Sequence, residues 1–205
     1  MRVWPMPSCE GWRREREIDD CHGGPNGSGL VTHPRMRGVA FALGSNLGDR
    51  REALRLALEG LLDGGVEIER VSSLYETPPW GVEEQPAFLN IAVWTRSDLD
   101  ARRLLALAKR IEAAAGRDFD APRWGPRPVD VDIALIEGEV VDEPDLVVPH
   151  ALLAERSFVL VPLAEVASGF IHPRLGRTLA ALRDARPLAE RRAVRRIEGR
   201  GWYEA

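Results

Sequence analysis

Two aspartates one residue apart, Asp130 and Asp132, sit in the run Arg123-Trp124-Gly125-Pro126-Arg127-Pro128-Val129-Asp130-Val131-Asp132-Ile133. Apolar residues alternate with them, as in a strand whose successive side chains point to opposite faces. Val129, Val131, Ile133 and Leu135 then share a core face, and the two carboxylates share the other. Carboxylates this close repel each other unless a cation lies between them. Hard, oxygen-liganded Mg²⁺ is the usual cation where phosphates are also present. A bare pair of this kind is more often a solvated strand face. Arg117, Arg123, Trp124 and Arg127 alongside shift the reading towards phosphate chemistry, because guanidinium groups bind phosphate oxygens two at a time.

A second cluster is Thr77-Pro78-Pro79, followed by Phe88 and Asn90. Phe88 and Asn90 are two apart on an expected strand and share a face. An aromatic plate beside an amide can stack on a flat heterocycle and hydrogen-bond its edge, although a core Phe and a loop-bonding Asn look the same in sequence. The third cluster, Val148-Pro149-His150 with Arg156-Ser157-Phe158, is weak by itself. Neither a G-x-x-x-x-G-K-[ST] loop nor the protein-kinase signature set is present. Lys109 is the only lysine, so phosphate charge must be met mainly by arginine.

The elements that would hold these clusters begin with an apolar strand over residues 39–43, ending in Gly44-Ser45-Asn46. Asp49 with Glu52 makes a capping box. Leu54, Leu58, Leu61 and Leu62 follow at helical spacing, and Gly64-Gly65 stops the helix. Alternation from Val66 opens a strand running to about Tyr75, and the two prolines after Thr77 take the chain out of regular structure. Residues 88–94 form the next strand. Ser97 and Asp98 are candidate caps of a second helix with Leu104, Ala108 and Ile111 inside, closed by Gly116. Residues 129–136 are a strand, and Gly138 is the expected turn of a hairpin into Val140-Val141. An apolar stretch follows over 158–166, then a helix over 179–184. The order β-α-β-β-α-β predicts an α+β, ferredoxin-like core with helices packed on an antiparallel sheet.

The chain has 205 residues, 44% hydrophobic and 29% charged, with a formal net charge of −4. This suits one soluble domain and gives no sign of a nucleic-acid or membrane partner. Residues 1–36 lack apolar periodicity and read as a disordered extension, with Met36 a candidate alternative start. The domain is expected over 37–186, with an Arg-rich tail over 187–205. Cys9 and Cys21, with His22 and His33, match no standard zinc spacing. The absence of cysteine after residue 21 fits a cytoplasmic location.

Taken together, the clusters resemble the 6-hydroxymethyl-7,8-dihydropterin pyrophosphokinase family, from about Gly38 to Arg183. The resemblance rests on Gly44-Ser45-Asn46-Leu47, Tyr75-x-Thr77-Pro78-Pro79-x-Gly81, Gln85-Pro86, Phe88-Leu89-Asn90, Arg110-Ile111-Glu112, Gly116-Arg117, the run from Arg123 to Ile133, Val148-Pro149-His150 and Arg156-x-Phe158. It implies pyrophosphoryl transfer from ATP to the hydroxymethyl group of the dihydropterin in folate synthesis, with release of AMP. It also implies two Mg²⁺ ions on Asp130 and Asp132. Phe88 and Phe158 would sandwich the pterin, and Thr77, Asn90 and the backbone near Pro79 would read its polar edge, with Asn46 assisting. Arg117 and Arg156 would neutralise the transferring phosphates. Glu112, Trp124, Arg127, Ile133 and His150 would line the ATP site. ATP and the pterin are the expected partners, acting on a monomer. Asp118-Phe119-Asp120 departs from the more basic loop common in the family.

Overall fold

The computed structural model describes residues 36–80, 84–120 and 125–204. Residues 1–35, with Cys9, Cys21, His22 and His33, lie outside the described residues, as do Gly81 and Trp124.

Strand β1 (Arg37–Ser45) runs through the middle of the sheet and leads into helix α1 (Arg50–Asp63). The Asp49 carboxylate accepts from the Glu52 N–H at 3.1 Å and so caps α1. The chain returns as β2 (Glu67–Val71) and β3 (Leu74–Thr77), then β4 (Phe88–Ser97). The single strand expected here is broken at Ser72-Ser73. The Ser72 N–H and hydroxyl pair with the Ala92 backbone, and the Ser73 hydroxyl and N–H both donate to Glu165, so this stretch leaves the ladder. Helix α2 (Ala101–Ala114) is capped by Asp100, whose carboxylate accepts from the Arg103 N–H at 2.8 Å. Neither Ser97 nor Asp98 caps it: Ser97 is the last residue of β4, and its hydroxyl accepts from Leu99 instead.

Strand β5 (Asp130–Ile136) pairs with β1. Gly138 turns with a φ of 71°, but only a single bridge, Ile136 to Glu139, follows it. The hairpin forms later, between β6 (Val141–Glu143) and β7 (Leu146–Val148). The apolar stretch becomes helix α3 (Ser157–Ala167), and a two-strand clip, β8 (Ile171–His172) with β9 (Arg177–Thr178), leads into α4 (Leu179–Asp184). Beyond Pro187 the chain forms α5 (Leu188–Ala193) and β10 (Arg195–Glu198), which joins the sheet beside β3. The sheet order is β10-β3-β4-β1-β5, with β2 also on β4, and every pairing is antiparallel. Without β10 this is the expected ferredoxin-like arrangement.

One sheet face packs on α1 and α2. Phe41, Leu43, Ile91, Val93, Val131 and Ile133 meet Leu54, Leu58, Leu104 and Ala108 there. Each such large side chain contributes about 1.5–3 kcal/mol when fully buried. The other face packs on α3 and α4 through Ala40, Ala92, Trp94, Ala134 and Leu135. Leu135 thus departs from the face expected for it. A register shift between Ala40 and Phe41 in the β1–β5 ladder turns it over, so Leu135 and Ala134 belong to the second cluster.

Candidate functional site

The second face is covered only in part. Alternation along β1, β4 and β5 brings Ala42 and Gly44, Asn90, and Asp130 with Asp132 to one end of it, where α3 begins. The small side chains at Ala42 and Gly44 leave a pocket. Its walls are Thr77 at the end of β3, Pro78 and Trp80 from the segment after it, Phe88 and Asn90 from β4, and Phe158 from α3. The Asn90 amide donates to the Thr77 hydroxyl at 2.7 Å, which fixes the amide's orientation at the rim of the two rings. Gly44 permits this arrangement, since a Cβ there would lie 3.0 Å from Asn90 Oδ1 and 3.6 Å from the Phe88 ring.

A second, polar pocket adjoins it. Lys109, Arg117, Phe119, Pro126, His150 and Leu152 line it, and both pockets share Arg127, Asp130, Asp132 and Arg156. Gly116, at a φ of 84°, ends α2 in a left-handed turn that directs Arg117 back across the sheet. There Arg117 pairs with both Glu112 and Asp130. Arg127 reaches Asp130 at 3.1 Å. Glu112 is fully buried and accepts from Lys109 at 2.8 Å and from the Val131 N–H at 2.9 Å, so it ties the end of α2 to β5. Burial drives its carboxyl above the usual range, with Asp130 adding to the rise.

The two aspartates are electrostatically unlike. Burial pushes the Asp130 carboxyl up, but Arg127 and Arg117 outweigh it and hold it below the usual range. Asp132 is pushed up to about 7 by burial and by the neighbouring Asp130 and Glu112 carboxylates. Such a pair favours a hard cation, and Mg²⁺ is commonly held by one or two carboxylates plus phosphate oxygens. No three Asp, Glu, His or Cys side chains converge as a cage among the described residues.

Arg156 stands where the pockets meet. Its guanidinium lies 4.6 Å from the centre of the Trp80 ring and 5.6 Å from that of Phe158. Burial and the charge of Arg156 keep the nearby His150 below its usual pKa.

Most of the expected site residues thus come together, but in different capacities. Thr77, Phe88, Asn90 and Phe158 line the apolar pocket, and Arg117 and His150 line the polar one. Pro79 lines the outer side of the apolar pocket's wall, beside Glu155 and Ser157. Asn46 is 1% exposed and lines neither pocket. Its amide donates to Gln85 at 3.0 Å and to the Pro86 carbonyl at 3.2 Å, and accepts from the Arg127 N–H at 2.8 Å, so it binds three loops together. Glu112 and Ile133 are likewise buried behind the lining, Ile133 in the helix-facing core. Trp80 and Leu152 line the pockets without having been singled out in the sequence. A Trp directly after two prolines is the sequence signal for the first; Leu152 carries none.

The 7,8-dihydro-6-hydroxymethylpterin-pyrophosphokinase family model matches residues 40–168. The chain is 46% identical over 133 residues to the 2-amino-4-hydroxy-6-hydroxymethyldihydropteridine pyrophosphokinase of Bacillus subtilis, covering 64% of this chain and 79% of that one. The enzyme of the same name from Aquifex aeolicus is 40% identical over 138 residues, covering 67% and 85%. Among solved structures, Plasmodium falciparum HPPK-DHPS with pterin and p-hydroxybenzoate superposes with a TM-score of 0.57 at 17% identity. That match covers 76% of this chain and 44% of the other, so the chain spans less than half of it, and the likeness concerns the fold. The family model and these relatives agree: the chain belongs to the 7,8-dihydro-6-hydroxymethylpterin-pyrophosphokinase family.

Proposed function

We propose that this chain transfers the pyrophosphoryl group of MgATP to the hydroxymethyl oxygen of 6-hydroxymethyl-7,8-dihydropterin and releases AMP. The observation that carries the reading is the shared wall. A flat, aromatic-lined pocket and an arginine-lined pocket open onto the same Asp130, Asp132, Arg127 and Arg156. A ring held in the first and a triphosphate held in the second would meet at those residues.

In the reaction, a bond forms between the hydroxymethyl oxygen and the β-phosphorus. The bond from that phosphorus to the oxygen bridging to the α-phosphate breaks, AMP leaves with that oxygen, and the hydroxymethyl proton passes to solvent. Phe88 and Phe158 hold the ring, and Asn90, with its amide oriented by Thr77, reads the ring's edge. Arg117, Arg127 and Arg156 hold the phosphates in line and offset their charge, which is the main demand of phosphoryl transfer. Two Mg²⁺ ions on Asp130 and Asp132, when bound, would supply Lewis-acid stabilisation of the phosphoryl oxygens. Glu112 keeps Arg117 aimed at the site, and Asn46 keeps the 84–87 and 125–127 segments beside it. Trp124 completes the ATP site in this reading. We assign no general base.

The enzyme would work as a monomer in the cytoplasm, with small molecules as its partners. No helix among the described residues is long and apolar enough to cross a membrane. Incubation with ATP, Mg²⁺ and the dihydropterin tests the reading: AMP should form in step with the pterin pyrophosphate. ADP as the nucleotide product would overturn it.

A further inference from the structure

The segment after Pro187 lies beyond the family match, which ends at residue 168, yet it touches both walls of the apolar pocket. On one wall α5 faces the start of α3. The Ser157 hydroxyl donates to Glu190 Oε2 at 3.1 Å, and Arg186 donates to the same oxygen at 2.7 Å. Ser157 is 6% exposed and stands in the chain between Arg156 and Phe158. Helix α3 has no side-chain N-cap of its own. A carboxylate at this end therefore satisfies a local polar demand and complements the helix dipole.

On the other wall, β10 lies beside β3 with Arg195 opposite Glu76, and the two side chains form an ion pair. Glu76 immediately precedes Thr77. The segment is anchored further along. Trp202 is buried in the core and its indole N–H donates to the Ser72 carbonyl at 3.2 Å, while Arg200 donates to Glu165 at 2.9 Å. Between the two attachments, a cavity places Glu190 and Val194 behind Pro78, Trp80, Arg156 and Phe158.

We propose that Glu190 and Arg195 are positioning residues for the pterin site, through which the C-terminal segment sets the spacing between the Thr77 wall and the Arg156–Phe158 wall. The proposal rests on the reading that this pocket takes the pterin. It makes a selective claim. Of the residues that the segment backs, Thr77, Pro78, Trp80 and Phe158 line the aromatic pocket alone and only Arg156 also lines the polar one, whose Arg117 and Lys109 are held by α2 and β5. Slack at Glu190 should therefore weaken the pterin far more than ATP.

The test uses the full chain and its Glu190→Ala, Glu190→Gln and Ser157→Ala variants. Pterin affinity is read from the pterin's own fluorescence in the presence of Mg²⁺ and a non-hydrolysable ATP analogue, and KM is measured separately for each substrate. Glu190→Ala should raise the pterin dissociation constant and KM roughly threefold to tenfold, the worth of a charge-assisted hydrogen bond partly replaced by water. The KM for ATP should change less than about twofold, as little as an uncoupled site allows. Glu190→Gln keeps an acceptor for Ser157 and should recover most of the loss. Ser157→Ala should match Glu190→Ala, and the double variant should be no worse than either alone. Arg195→Ala should act in the same direction with a smaller effect. A lowered melting temperature with unchanged pterin constants, or equal weakening of both substrates, would overturn the proposal. If Glu190→Ala does not fold, Ser157→Ala and Glu190→Gln decide it by the same criteria. A wild-type chain that binds the pterin but forms no AMP overturns the functional reading alone. One that binds no pterin overturns both.

Discussion

Beneath α1 and α2 the sheet is sealed by large side chains, whereas beneath α3 it is sealed over only part of its length. Phe41, Leu54, Leu58, Leu61 and Leu104 are all fully buried on the first side. On the second, Trp94, Leu135, Leu160 and Leu163 close the far part, and the chain then switches to Ala42 and Gly44. Charge enters where bulk is withdrawn: Asp130 and Asp132 occupy positions that an ordinary sandwich would fill with apolar residues. The contrast shows that one face can be filled with apolar side chains throughout while the other gathers buried charge beside a gap. Two carboxylates and a buried Glu112 within reach of one another suit phosphate chemistry and do not favour folding.

The comparison can be broken most severely at the metal pair. Asp130→Asn or Asp132→Asn should lower single-turnover transfer at saturating Mg²⁺ by at least about a hundredfold, because charge stabilisation is most of the catalysis available. Asp132→Asn should leave the melting temperature unchanged or higher, since it removes a carboxylate that its neighbours repel. Near wild-type transfer by both variants would reduce the pair to a solvated strand face. On the sealed side the signature should invert. Leu104→Ala should cost about 2–5 kcal/mol of stability, read by denaturant titration, while transfer per folded molecule at low temperature stays close to wild type.

A smaller effect should come from the floor of the open face. Gly44→Ala puts a Cβ at 3.0 Å from Asn90 Oδ1, so the amide must give way. Pterin affinity should fall about tenfold, the order expected for a modest steric intrusion, with little change in ATP affinity. Equal binding of the pterin by wild type and Gly44→Ala would remove Asn90 from the recognition scheme.

The smallest effect concerns pH and the anchor of the C-terminal segment. Burial pushes the Glu165 carboxyl up, but hydrogen bonds from Tyr75, Ser73 and Arg200 outweigh it and hold it below the usual carboxylate range. A carboxyl depressed on folding contributes stability that is present above its unfolded pKa of about 4.3 and lost as pH falls through the folded value. Stability measured from pH 6 down to pH 3 should therefore fall more steeply for wild type than for Glu165→Gln. Parallel curves would show that Glu165 contributes no proton-linked stability.

Several elements could be read along the chain because each is set by neighbours in sequence. Asp49 caps α1 with a group three residues away, and the alternation that places Asp130 and Asp132 on one face is a property of any strand. The cap of α2 lies two residues beyond Asp98 and three beyond Ser97, because Ser97, Asp98 and Asp100 are all chemically competent and only the end of β4 decides among them. Leu135 lies on the face opposite to its simple alternation because of the bulge in the β1–β5 ladder, which leaves no pattern in the sequence. The bonds of Asn46 to Gln85, Pro86 and Arg127 span segments distant in sequence, so no short window could show them.

The sequence by itself determined the β-α-β-β-α-β order of the core, the face of the sheet that carries the carboxylates, and the residue types of the site. Those follow from periodicity, capping and side-chain chemistry within short windows. Only the tertiary structure decided that Thr77, Phe158 and Asp132 line one pocket. It also decided that Arg195 and Trp202 return to Glu76 and Ser72, more than a hundred residues earlier. The physical reason is that an Arg-rich segment such as 187–204 has too little apolar periodicity to declare a partner. Its place is fixed by an open strand edge, a carboxylate and a gap in the core that exist only after the rest of the sheet has formed.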